Sequence, residues 1–380
     1  MARFKLKDIG TIITGNTPKT SDNRNYDSND ICFVKPSDID DNELSDLYSS
    51  ECYISEYARG KARIVPAQSV LVTCIGIIGK VGINSVDCAF NQQINAIIPN
   101  IEKCDCRYLA YAIQRERPKL QSIANAPVVP ILNKSQFSDI EISLPPLAEQ
   151  RKIAAVLDKV NNLIAKRRQQ LDKLDELVKS RFVELFGSIT EIVPLSHYIA
   201  SLCAGKSLAA EEECPNKVLK TGAVTYDYFD PIQVKNLPMD YKPREEHRVK
   251  TGDVIISRMN TAELVGATAY VWDVPERVYL PDRLWKAEIK DTANPIFVWQ
   301  VLIQNSTKES IRRIASGTSG SMKNISKSGL LGIRVVKVPI ELQEQFSAFV
   351  EQTEKIELAI QKSLKKLEIL KKALMQEYFE

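Results

Sequence analysis

Residues 146–186 and 339–379 align without a gap at a separation of 193 positions, and each stretch has the pattern of one long helix. In the first, apolar residues fall at Ile153, Val156/Leu157, Val160, Leu163/Ile164, Leu171, Leu174, Leu177/Val178, Phe182 and Leu185. In the second they fall at Phe346, Phe349/Val350, Ile356, Ile360, Leu364, Leu367, Leu370, Leu374 and Tyr378. Steps of three and four predict an apolar stripe along a helix, which Arg167 interrupts once. Pro145 and Pro146 precede the first helix, where a missing N–H costs nothing. Gly187 follows it and is expected to take the left-handed cap conformation. At about 1.5 Å per residue, each helix is a rod of roughly 60 Å. Two such stripes in one chain can bury each other as an intramolecular coiled coil; the alternative is two helices packed separately on their own segments.

Each rod follows a segment of β-rich pattern. In the first segment, strand-like runs occur in "ICFVKPSDI", "SVLVTCIGIIGKVGI", "NQQINAIIP" and "FSDIEISLP". In the second, "KVLKTGAVT", "DVIISRMNTAELVGATAYVW", "RLWKAEI" and "LLGIRVVKVP" follow in the same order. Both segments place a helical stretch before the last strand, and both open with an apolar run ending in glycine, Gly15 and Gly205. The chain therefore reads as a tandem repeat of class α+β. Two β-rich globules are separated by two long antiparallel helices forming the coiled coil, with pseudo-two-fold character. The expected boundaries are 1–145, 146–187, 188–338 and 339–380. This arrangement brings Glu380 near Met1.

Composition narrows the function. With 44% hydrophobic and 26% charged residues the chain is of the soluble globular kind, and it lacks the roughly 18-residue apolar run of a membrane span. Eight scattered cysteines without a CxxC pair, beside two histidines, predict reduced thiols in a cytoplasmic protein, with no metal site. The net charge of +3 is weak for a nucleic-acid binder. By segment, residues 1–145 hold 16 basic and 17 acidic residues, and residues 194–338 hold 20 and 16, so a basic face is expected only in the second globule. No phosphate-binding loop and no N/D-P-P-Y/F methylation motif is present. Pro281-Asp282 followed by Glu288-Ile289-Lys290 imitates a PD…ExK nuclease, but the carboxylates stand too close in sequence to converge from separate strands.

The "LPPLAEQRKIAAVLDKV" junction, its partner "VPIELQEQF", "TGNTPKT", "SRMNTAELVGATAYV" and "SGTSGSMKNISKSGL" together resemble the specificity (S) subunits of type I restriction-modification systems, over essentially the whole chain. The first segment has "NAPVVPILNKSQFSDI" where the second has its Ser/Gly-rich stretch. The resemblance implies a non-catalytic chain. Its two target recognition domains each read half of a bipartite, asymmetric double-stranded DNA sequence, while the helices set the spacer. Two reading heads on one face of B-DNA need centres about one turn, roughly 34 Å, or a multiple apart. Two methyltransferase (M) subunits and the restriction/translocase (R) subunits are the implied partners, with S-adenosylmethionine, ATP and Mg2+ on them rather than on this chain. Polar and basic loop residues are then the candidate readers. In the second globule these are Arg258, Asn260, Arg283, Lys323, Asn324 and Lys327; in the first they are Lys19, Lys35, Arg63, Gln92 and Lys134. Arg283, two positions before Trp285, could instead stack on that ring. The competing readings are a stand-alone metal-dependent nuclease using residues 281–290, a coiled-coil scaffold joining two adaptor domains, and the recognition subunit of a related type II assembly.

Overall fold

The computed structural model describes residues 2–124, 129–317 and 322–379. The two predicted rods are continuous helices, Leu147–Phe186 and Ile340–Phe379. By their contacts the residues divide into two compact units, Met1–Gln170 with Ile360–Glu380, and Leu171–Ala359. Each unit therefore combines one β-rich segment with part of both long helices. No described helix is long and apolar enough to cross a membrane.

In the first unit, Gly10–Thr14, Ile94–Pro99, Val70–Thr73, Val81–Asn84 and Ser45–Leu47 form a five-stranded sheet in that order. A four-stranded sheet has the order Tyr53–Ile54, Ile31–Val34, Cys88–Phe90 and Ile64–Val65, its central pair parallel. Arg3–Lys5 pairs with Glu141–Ser143. The helix Cys106–Arg115 covers the larger sheet; its residues Tyr108 to Ile113 are all buried, and Asp105 caps it by accepting the Tyr108 N–H. Ile153, Ala154 and Leu157 of the first long helix enter the same core, and Leu374, Met375, Tyr378 and Phe379 of the second pack against it. Arg168 pairs with Glu368 at 3.1 Å. Early residues of one helix thus meet late residues of the other, so the two run antiparallel.

The second unit repeats this order. Ile199–Cys203, Leu284–Ile289, Val254–Ser257 and Thr268–Tyr270 form the larger sheet, and Val234–Asn236, Lys217–Leu219 and Val278–Tyr279 the smaller, again with a parallel pair. Ile192–Pro194 pairs with Arg334–Val336. Phe182 and Phe186 of the first long helix, Phe346 of the second, Phe297 and Tyr198 form a knot of rings with neighbouring centroids 4.9–5.6 Å apart, mostly edge to face.

The recurring glutamine of the two junction motifs has the same task in both units. Gln150 is buried; its Oε1 accepts the Asp105 N–H (2.9 Å), and its Nε2 donates to Lys103 O and Pro145 O. Gln343 accepts the Asn294 N–H (3.0 Å) and donates to Val338 O. Asp105 and Asn294 are the N-caps of the helices that follow the larger sheet, so each glutamine clamps the start of a long helix to the start of a core helix.

Three expectations need correction. Gly187 is not left-handed; it is close-packed, and a Cβ there would stand 2.5 Å from Val183 O. The helix-like stretch before the last strand is two helices in each unit, Cys106–Arg115 and Arg117–Ile123 in the first, Pro295–Ile303 and Asn305–Ile314 in the second. The apolar stripe is covered unevenly: Val160, Ile164, Val350 and Ile360 are buried, while the repeat partners Leu163 and Ile356, and Leu177 and Leu370, stay 39–48% exposed. Met1 and Glu380 lie outside the described residues. Their neighbours converge on one strand end, since Ala2 O accepts the Leu144 N–H, and Phe379 lies 5.2 Å from the ring of Tyr108, whose hydroxyl donates to Ser143 O.

In the second unit the long helices bring Asp175, Glu354 and Glu357 together. Burial, then Glu354 and Asp175, raise the Glu357 carboxyl to about 7. The raised value means that protonation stabilises the fold. The stabilisation is complete below the ordinary glutamate range near 4.5 and disappears as pH rises through about 7. Glu357→Gln is therefore expected to stabilise the second unit at pH 8 by about 1 kcal/mol, a figure reduced for solvent screening at a half-buried site, and to change little at pH 5. Thermal unfolding of both proteins at the two pH values measures this; an equal effect at both rules out the titration.

Candidate nucleic-acid interface

In the second unit, strand Val254–Ser257 runs directly into Arg258. The Arg258 N–H donates to Arg283 O (3.1 Å), and Arg258 O accepts the Ile325 N–H (3.0 Å). Beyond this point Met259–Asn260 and Lys323–Asn324 form a short antiparallel ladder. The fold thus gathers Arg258, Asn260, Arg283, Lys323 and Asn324, which are scattered over 67 positions of sequence, onto one loop cluster. Arg283 is exposed and its guanidinium has no partner among the described residues. The arginine on Trp285 is Arg258, 5.4 Å from the ring, rather than Arg283. Asn324 Oδ1 lies 3.5 Å from Arg258 Nε. Asn260 Oδ1 accepts the Thr261 N–H, and Lys323 Nζ donates to Gly317 O. Lys327 is apart from these: its ammonium donates to Leu202 O at 2.6 Å and ties the short helix Lys327–Gly332 to the edge strand.

Behind the cluster, the chain following Ile199–Cys203 is held against the 280–283 turn. Gly205 N–H donates to Pro281 O (3.0 Å), and a Cβ on Gly205 would stand 1.9 Å from Leu280 O. Ser207 then donates its hydroxyl to Asp282.

The first unit has the same construction. Gly15 lies so close to the turn after Cys88–Phe90 that a Cβ would meet Asn91 O at 2.2 Å and Phe90 O at 2.3 Å. Thr17 donates to Gln92 Oε1 (2.7 Å), as Ser207 does to Asp282. Cys74 N–H donates to Gln93 O (2.7 Å) and Cys74 O accepts the Leu132 N–H (2.8 Å), the bonds that Arg258 makes in the other unit. Arg63 joins through its N–H to Asn16 Oδ1 and its guanidinium to Thr14 O. Lys19 and Lys134 are exposed, Lys134 at the first position of a short helix capped by Asn133. Lys35, at the end of Ile31–Val34, directs its ammonium at Cys52 Sγ (2.9 Å), and that hydrogen bond raises its pKa.

Two features escaped the sequence. Gln93, not Gln92, is the counterpart of Arg283. Tyr57, 47% exposed, carries Lys61 Nζ at 3.5 Å and Arg24 at 4.6 Å from its ring. Hydrogen bonding from Arg24 holds the Asp22 carboxyl down at about 2. Neither feature has a spacing signature. The imitation nuclease motif dissolves: Asp282 is in the turn held by Ser207, whereas Glu288 accepts from Ser201 at 2.5 Å. The strand residues Leu284–Ala287 lie between them, and at about 3.3 Å per residue they hold the two backbone positions more than roughly 13 Å apart. All eight cysteines are unpaired, and burial pushes the thiols of Cys74, Cys88, Cys104 and Cys106 up to about 12.

Each unit is thus an α+β head with a loop cluster at the same place, and each contains part of both long helices. Residues 1–176 match the family described as the type I restriction modification DNA specificity domain. The MjaVIII type I restriction enzyme specificity subunit of Methanocaldococcus jannaschii is 26% identical across 89% of this chain and 86% of its own length. The HindI specificity subunit of Haemophilus influenzae is 30% identical over 47% of this chain, and the match spans 40% of that relative. The crystal structure of a type I restriction-modification S subunit from M. genitalium shares the fold, with a TM-score of 0.63 at 14% identity over 100% of this chain and 96% of the other. Residues 1–176 thus match the type I specificity-domain family, and over most of its length the chain is similar to the specificity subunits of type I restriction-modification systems.

Proposed function

We propose that this chain reads a bipartite, asymmetric double-stranded DNA target, one half with each loop cluster, and leaves methylation and cleavage to partner subunits. The observation that carries this reading is the repetition of the loop cluster at the same place in both units with different side chains, Arg258 and Arg283 in one and Cys74 and Gln93 in the other. Equivalent scaffolds with unlike surfaces suit two unlike half-sites. Arginine, lysine, asparagine and glutamine side chains reach base edges or phosphates from such loops. The segments 1–145 and 188–338 act as target recognition domains, and 146–187 and 339–380 as the helical regions between them.

The partners are M subunits, and R subunits in the complete complex. S-adenosylmethionine, ATP and Mg2+ belong to those chains. Two M subunits fit the repeat, because the exposed apolar positions occur twice: Leu163 and Leu177 on one helix match Ile356 and Leu370 on the other. Mapping methylated bases across the genome of cells with and without this chain tests the reading. It expects one split motif, with both halves, to vanish when the chain is absent; an unchanged methylation pattern overturns it.

The long helices set the number of unread base pairs between the half-sites. Seven residues of helix add about 10 Å, the length of about three base pairs. One heptad inserted in both helices is expected to change the spacer by up to about three base pairs and to leave both half-sites as they were. The same methylation map checks this; altered half-sites with a fixed spacer contradict it.

A further inference from the structure

We infer that Gln93 and Arg283 are equivalent base-reading residues, the first selecting an A·T pair in one half-site and the second a G·C pair in the other. The inference rests on the proposed recognition function and adds the base chemistry of each head. Four features common to the two units fix the equivalence. The backbone oxygen of each residue accepts the N–H of the residue leaving the central strand, Cys74 for Gln93 and Arg258 for Arg283. The carbonyl of that strand residue is in turn held by the chain returning from the second loop, at Leu132 and Ile325. The preceding residue, Gln92 or Asp282, accepts a hydroxyl from Thr17 or Ser207. Finally, Gly15 and Gly205 press the neighbouring loop onto the same turn.

The side chains at this shared position have opposite base preferences. Gln93 Oε1 accepts from Nδ2 of the buried Asn91 at 2.9 Å, which orients the amide before DNA arrives. A carbonyl oxygen has a second lone pair, and the Nε2 protons have no acceptor among the described residues. That leaves one acceptor and one donor side by side, the pattern that matches N6 and N7 of adenine. Arg283 offers an exposed, unpaired guanidinium, whose fork matches O6 and N7 of guanine. The layer beneath differs in the same sense. In the first unit it is Cys74 Sγ accepting from Asn95 Nδ2 at 3.2 Å, a neutral pair, whereas in the second it is Arg258 on the face of Trp285.

The test uses the chain assembled with its M subunits, methylating a library of duplex oligonucleotides randomised at both half-sites. The wild-type complex is expected to require a G·C pair at one position of one half and an A·T pair at one position of the other. Arg283→Gln should lower the preference for that G·C pair by about tenfold or more and leave the other half-site intact; Gln93→Arg should act in the same way on the other half. Arg283→Lys should lose the preference as well, because an ammonium keeps the charge without the fork. If the wild-type complex shows a split target and these variants change neither half-site, the inference falls and the recognition function stands. Weakening that is equal for all sequences likewise overturns it, since that marks a phosphate contact. If the wild-type complex selects no split target, both fall. Thermal unfolding of each variant beside the wild type shows whether lost selectivity reflects lost folding; selectivity lost in step with stability counts against the inference.

Discussion

Phe346→Ala is expected to destabilise the second unit by about 3–5 kcal/mol, the cost typical of removing a fully buried aromatic ring. Phe346 is 0% exposed and its ring stands 5.6 Å from Phe182 and 5.3 Å from Phe186, with Phe297 beyond. These rings come from both long helices and from the helix Pro295–Ile303, so their neighbours are held by separate elements and cannot collapse together into the space left behind. Part of the loss is transfer of the ring, and part is the edge-to-face contacts. Denaturant unfolding followed by hydrogen exchange gives the size and place of the effect. Protection should fall across residues 171–359. A loss below about 1 kcal/mol would show that the knot repacks.

The second large effect is expected from Gly205→Ala. The need here is for space, because Gly205 is not among the left-handed glycines. A methyl group would stand 1.9 Å from Leu280 O and 2.8 Å from its carbonyl carbon. Both are backbone atoms, fixed by the Leu280 N–H bond to His247 O on one side and by the sheet strand Leu284–Ile289 shortly after. The two loops must separate, which breaks the Gly205–Pro281 bond and moves the turn that carries Arg283. We expect a cost of about 1–3 kcal/mol, the range for overpacking, and loss of selection for the half-site read by this unit alone. Gly15→Ala should do the same to the other half. Methylation of the randomised duplex library by each variant separates the two, and retention of both half-sites in Gly205→Ala would refute the coupling between loop packing and reading.

Much of the architecture was legible because it is periodic or repeated. The helices were visible from three-and-four spacing sustained over some forty residues, and the strands Val70–Thr73 and Val254–Ser257 from short runs rich in β-branched residues. The ungapped alignment of the rods exposed the tandem organisation. The short strands were not legible: Tyr53–Ile54, Ile64–Val65 and Val278–Tyr279 have two residues each, too few to show an alternation. Gln150 and Gln343 were visible as a repeated letter, but their role depends on Asp105 and Asn294, more than forty positions away. At the candidate site residue types were legible and their directions were not. Adjacent Gln92 and Gln93 are alike in composition, and only the backbone bonds show which one corresponds to Arg283. Lys35 and Lys327 looked equal to the other lysines until their ammonium groups were found on Cys52 and Leu202.

The division of each long helix between the two units has a consequence for how the chain is made. The core of the first unit is covered by Leu374, Met375, Tyr378 and Phe379, and residues 171–359 lie between that cover and the rest of the unit. During synthesis, Leu6, Tyr108 and Leu157 emerge long before the side chains that close over them. The nascent first unit therefore carries an apolar face open to water while the second is still being translated. Such a face is where transient species aggregate or recruit chaperones. Emergence of the last turns of the second helix then seals the unit translated first, so that unit can close no earlier than the residues of the second unit have been made.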